Sequence, residues 1–182
     1  MQLSEYEIKV TLTEASADNL GNSVIDSAQK VYDFDKITEK VAKHYRASKP
    51  HDSCDALYIK DEDNVFLVEF KNARSSHVPK KSLKQKAYDS IMTLMCALSP
   101  SLSLEETKRK VTLVFVYNNA AGRESVTPSK AMEQMKNKMF KLSNEPKVIL
   151  FGLEIYKGVF YRDVYTVDKT EFIENIWGKI FP

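Results

Sequence analysis

The chain has 182 residues, a length that fits one domain and allows folding to bury roughly 70% of the surface exposed by the unfolded chain. Hydrophobic residues make up 43% of the sequence and charged residues 29%, which excludes a wholly disordered protein. The 27 Lys and Arg residues nearly balance the 25 Asp and Glu residues, and the net charge of +2 excludes a histone-like electrostatic binder. A local basic face is still compatible with this balance.

Several familiar site classes are missing from the sequence. The five glycines are scattered singly, so neither a Walker-type phosphate loop nor a dinucleotide fingerprint can be built from them. Neither a G-x-S-x-G nucleophile elbow nor an H-E-x-x-H zinc helix occurs. A charged N-terminus and the lack of a long apolar run predict neither a signal peptide nor a membrane span. Cys54 and Cys96 make no metal-ligand pattern, which predicts reduced thiols and a cytoplasmic location.

The spacing of apolar residues predicts alternating helices and strands in the first two thirds of the chain. The first helix to be well defined begins at Phe34, with Asp35 as its cap, and ends before Pro50. In chain order the predicted elements are a strand at 6–10, a helix at 24–32, a helix at 34–48, strands at 54–60 and 65–71, a helix at 80–98 and a strand at 111–117.

The strands at 54–60 and 65–71 are apolar on both faces, which predicts that they lie in the middle of a covered sheet. The last third of the chain adds a helix from Thr127-Pro128, a hairpin of strands at 148–156 and 159–167, and a helix from Asp168 with Glu171 in a capping box. We therefore expect a single α/β domain over residues 1–182, with a mixed central sheet flanked by helices and completed by an α-β-β-α segment at about 127–182.

Three ionisable residues interrupt the apolar faces of the two central strands. Asp55 begins the first strand on the face of Leu57, and Glu69 and Lys71 end the second strand on the face of Leu67. Unpaired buried charges are unfavourable, so such residues persist when they are paired, metal-bound or functional.

The hairpin between these strands brings Asp55 close to Glu69 and Lys71, because the start of one strand lies opposite the end of the next. For the three residues to share one face, the loop must contain an odd number of residues. A loop at 61–63 places Asp55 opposite Glu69, and a loop at 62–64 places it opposite Lys71.

Two neighbouring carboxylates repel each other, and a hard divalent cation relieves that repulsion. Mg²⁺ or Mn²⁺ held by Asp55, Glu69 and the Phe70 backbone carbonyl would polarise a phosphodiester and lower the pKa of an attacking water. Lys71 would orient that water or stabilise the negative charge that develops on the phosphate. This predicts Asp55, Glu69 and Lys71 as catalytic residues.

Asp55 followed by Glu69-Phe70-Lys71, with a helix before and a helix and an apolar strand after, resembles the PD-(D/E)XK nuclease superfamily. The resemblance covers about residues 34–117. It implies a restriction-endonuclease-like core of αβββαβ type, Mg²⁺-dependent cleavage of DNA or, as the less favoured substrate, RNA, and leaves a homodimer or larger assembly open. Cys54 replaces the proline of the family name, and only a short stretch before Asp55 is left for the first strand of the core.

The resemblance also implies further site residues. Gln85 and Tyr88 resemble the Gln and Tyr of exonuclease-like branches, although their spacing is tighter, and Gln85 is expected to join the catalytic residues. Glu39 is the only glutamate on the preceding helix and is the candidate for an accessory acidic group. At the start of the next helix, four lysines near such a site would bind backbone phosphates: Lys80, Lys81, Lys84 and Lys86.

Two other interpretations of the same residues stay open. The fold could be retained as a nucleic-acid-binding or protein-interaction module with weak or no catalysis. Alternatively, Asp55, Glu69 and Lys71 could form a structural ion-pair network in an unrelated α/β domain, since charge clusters with perturbed pKa values are not always functional.

Overall fold

A computed structural model describes residues 8–98, 101–121 and 148–181 of the chain, and within these ranges six strands form one sheet. Neighbouring strands are antiparallel through the first four, and the last three run parallel, so the sheet is mixed, as predicted. In both chain and spatial order the strands are β1 (Lys9–Thr11), β2 (Lys30–Asp33), β3 (Ala56–Asp61), β4 (Asn64–Lys71), β5 (Val111–Tyr117) and β6 (Asp163–Asp168).

Helices cover both faces of this sheet. A π-helical turn (Phe172–Ile176) joins the last two of them into one C-terminal helical segment, residues 169–180. The helices are α1 (Leu12–Ala15), α2 (Phe34–His44), α3 (Lys80–Ala97), α4 (Leu104–Lys110), α5 (Lys169–Glu171) and α6 (Trp177–Ile180).

The two faces of the central strands are buried in two separate apolar layers, which confirms that β3 and β4 lie inside a covered sheet. Leu57 and Leu67 face the layer formed with α2 and α3. Ala56 and Val68 face the layer formed with the C-terminal helical segment and the residues that lead into β2. All seven residues of β5 are buried. The alternation of strand side chains therefore leaves odd-numbered residues of β3 and β4 directed toward α3.

The helix predicted at 24–32 was wrong, although a strand near 6–10 and a helix from Phe34 are present as β1 and α2. Residues 30–33 form β2 rather than the end of a helix, because they pair with both β1 and β3. Val31 is fully buried there, so its apolar character reflects packing on the sheet and not a helical stripe. The cap of α2 is Asp33, whose side chain accepts a hydrogen bond from the Lys36 N–H, rather than Asp35.

The predicted C-terminal hairpin was also wrong, and the described residues contain one C-terminal strand rather than two. Residues Glu154–Tyr156 form a 3₁₀ turn, and β6 pairs in parallel with β5 instead of antiparallel with the strand expected at 148–156. Leu153 and Tyr161 are fully buried, so the intervening chain packs on the core as irregular structure. Asp168 caps the last helical segment, as predicted, but its side chain accepts from the Thr170 N–H rather than from the Glu171 N–H that a capping box uses. The helix predicted from Thr127 lies outside the described residues.

Helix α4 was not predicted. Its capping box of Ser103 and Glu106 is visible in the sequence, but Thr107 is its one buried residue, so it lacks the apolar stripe that marks a helix. Among the described residues, no helix is both long and apolar enough to span a membrane.

Candidate active site

The β3–β4 hairpin brings Asp55 and Glu69 together. Ala56 pairs with Val68 and Ile59 with Val65, and extending this register by one residue places Asp55 opposite Glu69. Asp61 pairs with Asn64 across a two-residue turn, and the register shifts by one residue between Ile59 and Asp61. With this extra residue, the number of residues between the paired parts of the two strands is odd, so Asp55 and Glu69 share one face. Neither of the two three-residue loops that the sequence left open is formed, but the position of Asp55 opposite Glu69, which the loop at 61–63 predicts, is reached through this register shift.

Glu69 is fully buried, and its carboxylate is held by a lysine from α3. The Lys86 ammonium lies 2.9 Å from both Glu69 oxygens, Oε1 and Oε2. The Lys71 ammonium lies 3.4 Å from Oε1, and the Lys71 side chain is 38% exposed, against 0% for Glu69. A buried carboxylate with two ammonium groups at this range is a paired charge, as its burial demands.

Asp55 completes the cluster through both of its carboxylate oxygens. Its Oδ2 accepts a hydrogen bond of 2.6 Å from the Phe70 N–H, and its Oδ1 lies 3.7 Å from the Lys86 ammonium. Burial, reinforced by the Glu69 charge and opposed by Lys86, raises the pKa of Asp55 well above its ordinary value. The Asp55 carbonyl accepts from the Phe34 N–H, which fixes this residue against the start of α2.

Lys86 remains charged despite its burial. Desolvation acts to lower the pKa of its ammonium, but the charges of Glu69 and Asp55 and the hydrogen bonds from Lys86 to Glu69 outweigh it, and the net effect raises the pKa. Sequence reasoning assigned Lys86 to phosphate binding and missed this contact. A signal was available, because Lys86 lies three residues after the buried Leu83 and four before the buried Ser90, on the face of α3 that packs on the core.

Two buried hydrogen bonds hold α3 against the site. The Ser90 hydroxyl accepts from the Cys54 N–H at 2.8 Å, next to Asp55 in the chain. The Tyr161 hydroxyl donates to the Ala87 carbonyl at 2.6 Å, next to Lys86. Burial also raises the pKa of the Cys54 thiol, so this cysteine is an inert core residue and not a nucleophile.

A cleft of about 340 Å³ opens beside Asp55. Its charged lining consists of Glu14, Asp33, Asp35 and Asp55, with Lys36 as the basic residue. The Asp35 charge also contributes to the raised pKa of Asp55. The mouth of the site on this side is therefore acidic and favours a cation over a phosphate.

The donor set suits a hard cation, within limits. Asp55 and Glu69 offer carboxylate oxygens, the ligand type preferred by Mg²⁺. Both carboxylates already face the same cation, the Lys86 ammonium. Among the described residues, however, no group of three or more His, Cys, Asp or Glu side chains could hold a metal. A metal here would depend on the two carboxylates, on a carbonyl such as that of Phe70, and on departure of the Lys86 ammonium.

The structure does not bring the other predicted catalytic residues to the cluster. Gln85 is exposed, and its amide donates to Asp89 one turn along the same helix at 2.7 Å. The exposed Tyr88 ring packs edge-on against Phe160, and Glu39 is exposed on α2. One position along a helix rotates a side chain by about 100°, which explains why residue 86 faces the carboxylates and residue 85 does not.

The remaining predicted lysines lie along α3. Lys80 and Lys81 are exposed in its first turn, as a phosphate-binding role requires. Lys84 is half-buried, and the end of its side chain lies against Gly152, whose φ of +74° favours glycine. The four lysines thus divide into an exposed pair, one packed residue, and Lys86 in the cluster.

Comparison of the chain with protein-family models, with curated proteins and with solved structures finds no match. The family resemblance therefore depends on the residues and element order described above.

Proposed function

We propose that this chain is a metal-dependent nuclease that hydrolyses phosphodiester bonds of DNA, with RNA as the less favoured substrate. The observation that carries the proposal is the convergence of Asp55 and Glu69 from neighbouring strands on one cation position, with Lys71 beside them. Two carboxylates and a lysine in a sheltered position are the groups that this hydrolysis requires.

The order of elements around the site supports a variant of the restriction-endonuclease-like core. Strands β2, β3 and β4 form an antiparallel meander, and β5 returns parallel to β4 after α3. The difference from the expected αβββαβ order is that α2 lies between β2 and β3 instead of before the meander. This variation leaves the positions of Asp55 and Glu69 unchanged, since both depend on the β3–β4 hairpin.

In this proposal Asp55, Glu69 and the Phe70 carbonyl hold Mg²⁺ or Mn²⁺. When bound, the ion would polarise the phosphodiester and lower the pKa of an attacking water. Lys71 is partly exposed beside Glu69 and would orient that water and balance the charge that develops on the phosphate. The burial of Glu69 keeps the carboxylate in place while the reaction proceeds.

Nucleic acid would approach from the side of Lys71 and the start of α3, not through the acidic cleft. Lys71 ends β4, and the exposed Lys80 and Lys81 begin α3 after the intervening loop. Each lysine that contacts a phosphate releases counterions, so binding on this side should weaken as salt rises.

The test is cleavage of single-stranded DNA, duplex DNA and RNA with Mg²⁺ or Mn²⁺ by the wild type and by Glu69→Gln and Lys71→Met. Lys43→Met, which removes an exposed charge from α2, is the matched control. We expect metal-dependent cleavage that both site variants reduce at least about 100-fold, as loss of one stabilising group typically does. Equal cleavage by Glu69→Gln and the wild type would refute the proposal.

One observation favours a second candidate function, a nuclease-like fold that binds nucleic acid without cleaving it. The Lys86 ammonium lies between both carboxylates and the Lys71 ammonium lies beside Glu69, so two positive charges balance the two carboxylates and the cluster is stable as an ion-pair network without metal. This function predicts salt-dependent gel shifts with the same nucleic acids, weakened by substitution of Lys80 and Lys81, and no cleavage under any metal condition.

A further inference from the structure

The Lys86 ammonium occupies the place between Asp55 and Glu69 where a bridging cation would bind. It contacts both Glu69 oxygens at 2.9 Å and faces Asp55 Oδ1 at 3.7 Å. A divalent cation and this ammonium would use the same oxygens, so the two cannot be bound together. The Lys86 ammonium therefore competes with a metal ion for the proposed metal position.

Lys86 can leave this position without movement of α3. The helix is held in place just after Lys86 by the Cys54–Ser90 and Tyr161–Ala87 hydrogen bonds. Lysine carries its charge on a flexible four-carbon stem, and the Lys86 side chain is 20% exposed. Rotation of the side chain alone would move the ammonium to the nearby surface.

We propose that Lys86 is an internal competitor for the metal and that it couples metal binding to nucleic-acid binding. Without nucleic acid the ammonium holds the carboxylates and metal binds weakly. A phosphate that enters beside Lys71 offers the ammonium a new partner, and the vacated carboxylates then bind the metal tightly. Because coupling between two ligands is reciprocal, metal strengthens nucleic-acid binding by the same factor. This inference rests on the proposed function for its choice of ligands.

The first test is calorimetric titration of Mn²⁺ into the intact chain without nucleic acid, using the wild type, Lys86→Met and the control Lys43→Met. Methionine keeps the length of the lysine stem and removes the charge. We expect Lys86→Met to bind Mn²⁺ at least 10-fold more tightly than the wild type, and Lys43→Met to match the wild type. Equal or weaker binding by Lys86→Met would overturn the inference.

A second measurement uses the wild type alone and so does not depend on the folding of a variant. Acetylation of Lys86 by an amine-reactive reagent, followed by mass spectrometry, reports how accessible the ammonium is. We expect saturating Mn²⁺ to increase Lys86 labelling several-fold while Lys43 labelling stays constant. Unchanged Lys86 labelling at saturating Mn²⁺ would show that the metal does not displace the ammonium and would refute the inference.

The coupling itself is tested by Mn²⁺ titration in the presence of a hydrolysis-resistant phosphorothioate oligonucleotide. We expect it to tighten Mn²⁺ binding to the wild type at least 5-fold and to leave Lys86→Met unaffected; an equal effect on both would refute the coupling. Failure of the nuclease proposal is distinguishable from failure of this one. Tighter Mn²⁺ binding by Lys86→Met without any cleavage would refute only the nuclease, and metal-dependent cleavage with unaltered Mn²⁺ affinity would refute only the competition.

Discussion

Removal of the Lys86 charge should destabilise the fold more than an ordinary surface substitution would. Glu69 is fully buried, and both of its oxygens bond to the Lys86 ammonium at 2.9 Å. Loss of one partner of a buried ion pair typically costs about 3–5 kcal/mol, because the remaining charge stays buried without compensation. Lys71 lies 3.4 Å from Glu69 and retains part of the compensation, so we expect Lys86→Met to lower the free energy of unfolding by about 3 kcal/mol.

A second substitution distinguishes loss of a buried ion pair from simple loss of packing, because the two predict opposite changes in the free energy of unfolding. Glu69→Leu combined with Lys86→Met removes the buried pair altogether, and replacement of a buried pair by apolar side chains is often neutral or stabilising. We therefore expect the double variant to be more stable than Lys86→Met alone, with a coupling free energy of about 2 kcal/mol.

Urea denaturation followed by circular dichroism measures the stability of the wild type, Lys86→Met, Glu69→Leu and the double variant. EDTA is present so that metal does not contribute. In a domain of this size, a loss of about 3 kcal/mol corresponds to a fall of roughly 6–12 °C in melting temperature, which thermal unfolding should detect. Additive losses, in which the double variant is less stable than the wild type by the sum of the two single losses, would refute the idea that the cluster is a coupled buried ion pair.

Two further predictions concern the groups around this pair. Because burial and the Glu69 charge raise the pKa of Asp55 in the folded chain, its contribution to stability is full below the ordinary aspartate pKa of about 3.9 and is lost as pH rises through the folded pKa. The free energy of unfolding of the wild type relative to Asp55→Asn should therefore fall as pH is raised from about 4 toward neutrality, and a rise over that range in urea titrations would contradict the assignment. Tyr161→Phe removes the buried hydrogen bond to the Ala87 carbonyl and should cost about 1 kcal/mol by the same denaturation assay, whereas an unchanged stability would show that the bond contributes nothing.

The centre of the fold could be predicted from the sequence because its strands are apolar on both faces. Such strands have few alternatives to a covered position in a sheet, and β3, β4 and β5 lie close to their expected bounds. The same reasoning placed Asp55 and Glu69 on apolar strand faces, but these are one face only because of the register shift between Ile59 and Asp61, which the sequence pattern does not reveal. Helix α3 was equally clear, with Ala87, Ile91 and Leu94 in a buried stripe.

The two ends of the fold, at β2 and in the segment before β6, depend on tertiary contacts that local sequence patterns do not encode. Residues 30–33 form a strand because β1 and β3 provide pairing partners on both sides, and the same apolar spacing is compatible with a helix. A hairpin was expected before β6, but this segment buries its apolar side chains against the core without forming a strand. Its backbone is irregular, with positive φ at Phe151, Gly152 and Gly158.

The partner of the two carboxylates was missed for a different reason. Lysines at the start of a helix are usually solvated, and Lys80 and Lys81 follow that expectation. Lys86 differs only in its position on the helical face, and the charges that hold it there lie 17 and 31 residues earlier in the chain, at Glu69 and Asp55. A buried charge without a partner is the signal that would have found it, because Glu69 on an apolar face requires a cation from some neighbouring element.

In the function we propose, Asp55 and Glu69 form the metal-binding centre of a nuclease. Cleavage of a single-stranded DNA oligonucleotide across a Mn²⁺ titration, by the wild type and by Glu69→Gln at equal folded concentration, tests it most directly. We expect cleavage that saturates with Mn²⁺ in the wild type and is nearly absent in Glu69→Gln. Cleavage that is independent of Mn²⁺, or that Glu69→Gln retains in full, would contradict it.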